Sequence, residues 1–226
     1  MIGAVLFDVD GTLVDTNDLH AAAWQEAFRH FGIDLPRERI RTQIGKGGDN
    51  LIPALLPADL AERYRKPIED YRSELFQHRY LPQAVPFPSV RPLFERLFAD
   101  GIRIVLATSS KQSELHFYRG LLGIEDLLHA ATSKDDVEHS KPCPDIFEAA
   151  LHRIRPLGPS ETLVVGDSPW DVLGACRAGL KTVALLCGGF PESELRDAGA
   201  AAVYDGPEDL LATYPEWLWV QTQPRR

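Results

Sequence analysis

The chain has 226 residues, which at roughly 100–200 per domain suits one large domain or a core with a smaller partner. Its 44% hydrophobic and 25% charged residues are those of a folded globular protein, so disorder, collagen and repeat arrays are excluded. With 24 Lys and Arg against 33 Asp and Glu, the net charge is −9. A nucleic-acid coat is thereby excluded, and an anionic ligand would need local neutralisation. No stretch nears the roughly 18 apolar residues of a membrane span. Met1–Phe7 is apolar but is interrupted at once by Asp8 and Asp10, unlike a secretory signal. Cys143, Cys176 and Cys187 are an odd, sparse set without CxxC spacing. Neither a disulfide scaffold nor a zinc site is expected, and the thiols should be reduced in a cytoplasmic protein.

Short apolar runs alternate with longer amphipathic stretches. The first run is Ile2–Phe7. It is followed by a region with no convincing strand, from Asp15 to about Gln83. There Asp18–Phe31 has helical spacing, Pro36 opens a short helix over Arg37–Thr42, and Gly45, Gly47 and Gly48 mark a loop. Helix resumes over Asp49–Leu55, and a long polar helix runs over Ala58–His78. Pro82, Pro86 and Pro88 stiffen the way back. The rhythm then becomes regular. Strands are expected at Ile102–Ala107, Leu128–Ala131, Leu163–Val165, Thr182–Leu186 and, more weakly, Ala201–Tyr204. Helices are expected at Val90–Ala99, Gln112–Leu122, Pro144–Arg153, Trp170–Ala178 and Glu192–Ala198. This is the pattern of an α/β fold with a doubly wound, parallel, Rossmann-like sheet. The expected core is residues 1–14 and 84–226, with a helical insert at 15–83. Right-handed crossovers would bring every strand's C-terminal end to one edge, where ligands bind.

The chemistry-bearing residues fall at that edge. Asp8-Val9-Asp10-Gly11-Thr12 follows the first strand. Two carboxylates at i and i+2 would point to the same side if the strand continued. Such a pair suits either an acid beside an ionised nucleophile or a divalent cation held by oxygen. Gly166-Asp167-Ser168-Pro169-Trp170-Asp171 again places acids after a strand, and Asp167 and Asp171 would complete an oxygen-rich Mg²⁺ site. Thr108-Ser109-Ser110, between a strand and a helix, suits a phosphate. Lys141 offers a compact positive charge. Taken singly, each of these could be a helix cap. Their joint order at successive strand ends is what separates them from caps.

That ordered set, DVDGT, TSS, SKP and GDSPWD, resembles the four motifs of the haloacid dehalogenase-like hydrolase superfamily over essentially the whole chain. The insert after the first motif resembles that superfamily's first-type cap, as in relatives of phosphoglycolate phosphatase and β-phosphoglucomutase. The resemblance implies that Asp8 is a nucleophile forming an aspartyl phosphate and Asp10 the general acid and base. It implies Mg²⁺ on Asp8, the Asp10 backbone carbonyl and Asp167, with Asp171 as a further ligand or support. Thr108, the Ser109 amide and Lys141 would hold the phosphoryl oxygens. Asp10 sets the chain apart from true dehalogenases, which lack that acid. A mutase of the β-phosphoglucomutase type is the alternative to a phosphatase, but the Gly45–Asp49 loop offers Lys46 and no arginine. The partner implied is a small phosphorylated metabolite, not a nucleic acid or a membrane; the sequence sets no oligomeric state. Specificity would lie in the cap, where His20, Trp24, Lys46 and Asn50 are the site-facing candidates. Trp170 is expected to pack, and Trp217 and Trp219 to seal the core or a subunit contact.

Overall fold

The computed structural model describes residues 1–222. Six strands form a parallel sheet: β1 Ala4–Phe7, β4 Arg103–Ala107, β5 Ala130–Thr132, β6 Thr162–Gly166, β7 Lys181–Leu185 and β8 Ala202–Tyr204, in the order β5-β4-β1-β6-β7-β8. β1 lies at the centre, with Leu6 opposite Val105 on one side and Val164 on the other. All four of its residues are buried, as a strand covered on both faces requires.

Alternation along β1 divides the core. Val5 and Phe7 face one layer, with α5 (Val90–Ala99), α6 (Gln112–Leu122) and α10 (Pro207–Ala212). Ala4 and Leu6 face the other, with α7 (Asp145–Arg153) and α8 (Pro169–Arg177). The fold is therefore doubly wound, as the apolar runs predict. α9 (Glu192–Asp197) precedes β8.

Between β1 and β4 lie α1 (Asn17–His30), α2 (Arg37–Arg41), α3 (Gly48–Leu55) and α4 (Ala58–Leu75). They share an apolar cluster of their own, including Trp24, Phe28, Ile40, Leu51, Ile52 and Ile68. The long helix departs from α geometry after Leu75 and continues as a π turn over Phe76–Tyr80.

Two features escape the sequence pattern. β2 (Val14–Asp15) pairs antiparallel with β3 (Val85–Pro86), joining the two ends of the insert. Each is two residues long, and Pro86 lacks the amide donor expected of a strand. The C-terminal part forms α10 and a 3₁₀ segment over Glu216–Thr222. Trp217 is fully buried there and its Nε1 donates to the Leu210 carbonyl at 3.0 Å, so it seals the core; Trp219 is exposed. Trp217→Ala should destabilise the fold by about 3–5 kcal/mol, the usual range for truncating a buried aromatic. Urea denaturation followed by circular dichroism measures this, and an unchanged midpoint would refute the sealing role.

Candidate active site

The C-terminal ends of β1, β4 and β6 and the segment before α7 converge on one edge. Asp8 follows β1, Asp167 follows β6, and Asp171 lies in the first turn of α8. Ligand oxygens of these three carboxylates all lie within 4.8 Å of one another. Lys141 reaches in between: its Nζ is 2.5 Å from Asp8 Oδ1 and 2.7 Å from Asp171 Oδ1. Lys141, Asp167 and Asp171 are at most 1% exposed, and Asp8 is 3% exposed.

Local structure fixes each group. Ser168 is the N-cap of α8, and Asp171 completes a capping box with it. Asp171 Oδ2 accepts from the Ser168 amide at 3.1 Å and from Ser168 Oγ at 2.5 Å, so Oδ1 is left for Lys141. Asp167 accepts from Thr12 Oγ1 at 3.0 Å and from Asn17 Nδ2 at 2.7 Å.

Three buried carboxylates against one lysine leave negative charge unbalanced. Burial pushes the Asp8 carboxyl well up; Lys141 pulls it down, and the charges of Asp171, Asp167 and Asp10 push it up again. Burial and then the charge of Asp171 raise Asp167 to about 7, against the donors Asn17 and Thr12. For Lys141 burial works against its charge, but Asp171 and Asp8 outweigh it and hold the ammonium protonated. Among the described residues this cluster offers only hard oxygen donors, with no Cys or His. It therefore fits a hard divalent cation better than zinc.

Asp10 has separate partners. Its Oδ1 accepts from Thr16 Oγ1 at 2.7 Å and Tyr118 Oη at 2.6 Å, and lies 2.7 Å from His20 Nε2; its Oδ2 accepts from Ser110 Oγ at 2.5 Å. Burial pushes this carboxyl up, but His20, Ser110 and Tyr118 outweigh it and hold it well below the usual carboxylate range. The strand ends at Phe7 and the chain turns at Gly11 with φ +77°, so Asp8 and Asp10 do not share one environment as a continued strand would suggest.

A cavity of about 470 Å³ opens above this edge, lined by both insert and core. Asp8, Asp10, His20, Lys46, Thr108 and Ser109 reach its wall, whereas Lys141, Asp167 and Asp171 do not line it. Ser109 Oγ is buried without a hydrogen-bond partner, and Thr108 Oγ1 accepts from the Ser110 amide at 3.0 Å. His20 stacks on Phe76, ring centroids 4.0 Å apart, and also meets the Arg72 guanidinium through Nδ1. Lys46 donates to Gln43 Oε1 at 2.7 Å, and its ammonium sits 3.8 Å from the Trp170 ring centroid. Trp170 is therefore a platform for Lys46 rather than simple packing. Trp24 lines the cavity. Asn50 does not: its amide donates to the Ser140 carbonyl at 2.8 Å and ties the insert to the core.

Thr12, Thr16, Asn17, Ser110, Tyr118 and Arg72 were given no role of their own from the sequence. Thr12 and Ser110 lie within the DVDGT and TSS motifs and Thr16 just after the first, where their hydroxyls were the available signal. Tyr118 reads as one more apolar position of α6, and Asn17 and Arg72 reach their partners only through the tertiary fold.

Comparison with known proteins gives the family. The haloacid dehalogenase-like hydrolase profile matches residues 5–185. The chain belongs to this family. This haloacid dehalogenase-like hydrolase is 29% identical over 219 residues to Pyrophosphatase PpaX of Anoxybacillus flavithermus, covering 96% of this chain and 92% of the relative. It is 27% identical to the Phosphorylated carbohydrates phosphatase of Thermotoga maritima, covering 95% and 99% of the two chains. The solved structure of a hydrolase from Pseudomonas syringae superposes with a TM-score of 0.82 at 33% identity, covering 94% and 98%. No described helix is long and apolar enough to cross a membrane.

Lys141→Ala would leave buried carboxylates without their cation. In EDTA it should destabilise the protein by about 3–5 kcal/mol, the cost of removing one partner from a buried pair. Thermal denaturation measures it, and a melting temperature equal to that of the unaltered protein would contradict the neutralising role.

Proposed function

We propose that the protein is a Mg²⁺-dependent phosphomonoester hydrolase acting on a small phosphorylated metabolite through an aspartyl phosphate on Asp8. The observation that carries this reading is the cluster of Asp8, Asp167 and Asp171 around Lys141, with Asp8 alone of the four reaching the wall of a cavity that also holds Thr108 and Ser109. Residues 15–83 act as a cap over that cavity.

Asp8 attacks phosphorus and the leaving oxygen departs with a proton from Asp10. Water then attacks the phosphoryl group on Asp8, and Asp10 takes the proton. Held ionised by its four partners, Asp10 is already in the form the second step uses; to act as the acid it must loosen at least one of them. Thr108, the Ser109 amide and Lys141 hold the transferring oxygens, because phosphoryl transfer depends mainly on positioning and charge neutralisation. Asp8, Asp167 and the Asp10 carbonyl would hold Mg²⁺, with Asp171 beside them, and the chemistry the ion supplies is charge neutralisation at the phosphoryl oxygens.

His20 and Lys46 face the remainder of the substrate. Among the described residues Lys46 meets Gln43 and the Trp170 face and no carboxylate, which suits a second anionic group on the substrate. The names of the relatives put inorganic pyrophosphate and phosphorylated carbohydrates first in a substrate panel. A mutase is less favoured, since the loop at 45–49 carries no arginine for a second phosphate.

EDTA should abolish hydrolysis of p-nitrophenyl phosphate and Mg²⁺ should restore it; turnover that survives chelation would refute the cation's role. Lys46→Ala should raise KM for the best panel substrate by about tenfold, on the order of one charge-assisted contact, and leave KM for p-nitrophenyl phosphate nearly unchanged. Equal effects on both would remove Lys46 from substrate recognition.

A further inference from the structure

Asn17 is the first residue of α1, where the chain leaves the core for the insert, and its side chain is 3% exposed. A buried asparagine must spend its donors locally. Asn17 Nδ2 spends both: one reaches Asp167 Oδ2 at 2.7 Å and the other the Gly188 carbonyl at 3.0 Å. With Thr12 Oγ1 on Asp167 Oδ1 at 3.0 Å, each oxygen of this carboxylate is held by a side chain from a different segment.

The space around these bonds is filled. A methyl group at Gly11 would overlap both Asn17 Nδ2 and Asp167 Oδ2, and one at Gly188 would overlap Asp167 itself. Asp167 therefore has little room to turn once Asn17 is in place. Gly188 lies in the short turn Leu186–Gly188 that follows β7. Its carbonyl accepts a second hydrogen bond, from Arg41 Nη2 on α2. The Arg41 guanidinium stacks 5.3 Å from the Phe190 ring centroid, and its Nε donates to Asp18 Oδ1 at 3.2 Å. The first two helices of the insert thus converge on one backbone carbonyl, and Asn17 alone of these donors also touches a carboxylate of the acidic cluster.

We infer that Asn17 is a positioning residue for the cation site: its amide fixes the Asp167 carboxylate and, through Gly188 and Arg41, ties that carboxylate to the seating of the insert on the core. The inference rests on the proposed binding of a divalent cation by Asp8, Asp167 and the Asp10 carbonyl. Linkage makes the tie reciprocal, so whatever unseats the insert weakens the cation, and the cation in turn favours the seated insert.

Binding of Mn²⁺ as a spin probe for the Mg²⁺ site, measured by electron paramagnetic resonance on the full chain without substrate, tests this apart from activity. Asn17→Ala should weaken Mn²⁺ by about tenfold or more, as for other groups that orient a metal ligand. Asn17→Leu fills the asparagine's volume without its donors and should lose as much, which keeps the test open if the alanine variant folds poorly. Circular dichroism confirms that the variants compared are folded. Arg41→Ala should weaken Mn²⁺ in the same direction by less. Ser73→Ala breaks another bond between insert and core, the one from Lys111 Nζ at 2.8 Å, and should leave Mn²⁺ affinity unchanged. Unaltered affinity in both Asn17 variants would overturn the inference, and so would an equal loss in Ser73→Ala, which would point to a loosened insert rather than a held carboxylate. Unaltered affinity in Arg41→Ala would overturn the link to the insert's second helix. Failure of the unaltered protein to bind Mn²⁺ would instead overturn the cation site itself.

Discussion

Three carboxylates share a nearly dry space with a single lysine, and the rest of the site follows from that imbalance. Isolated buried charges are costly, and one side chain cannot neutralise three. The parallel sheet creates the crowding because every strand delivers its last residue to the same edge. Asp8 and Asp167 arrive from β1 and β6, which are adjacent, although the residues are far apart in sequence. Lys141 is fixed by its ion pairs to Asp8 and Asp171. Asp171 can join that cluster because its other oxygen completes the capping box of α8. In the proposed reading a cation and a phosphate would together complete such a site, the first meeting the acids and the second meeting the lysine.

One residue separates Asp8 from Asp10, yet their surroundings drive them in opposite directions. Asp8 faces like charges in a buried cluster and is raised; Asp10 is surrounded by donors and is lowered. The separation comes from the end of β1 and the turn at Gly11, which send the second side chain toward α1 and α6. The proposed nucleophile and proton carrier need different environments, and residues brought in from the rest of the fold supply them: Lys141, Asp167 and Asp171 around Asp8, and His20, Ser110 and Tyr118 around Asp10. The insert takes part directly, since Thr16 and His20 lie at its entrance and both meet Asp10.

The parallel strands and most helices, though not the strand order, were legible in the sequence because buried parallel strands are apolar throughout and leave clear runs. Asp8, Asp10, Asp167 and Asp171 stood out because they follow such runs, and Lys141 because it precedes α7. What could not be read were partners fixed by tertiary geometry. Tyr118 looks apolar on α6 and Asn17 looks like an ordinary first-turn residue; neither shows its carboxylate partner until the chain is folded. Trp170 was expected to pack, but its ring carries Lys46, a contact across more than a hundred residues. The β2–β3 pair was too short to leave any periodicity.

The most direct measurement is to trap the phosphoryl group on Asp8. Protein mixed with substrate and Mg²⁺ is quenched during turnover, reduced with borohydride and digested with trypsin. The peptide spanning 1–29 has no internal Lys or Arg and contains both acids of the first motif. Reduction of an acyl phosphate should convert Asp8 to homoserine, with Asp10 unchanged, and only when substrate is present. Full turnover with Asp8 unmodified, or modification at Asp10 instead, would contradict the nucleophilic role of Asp8.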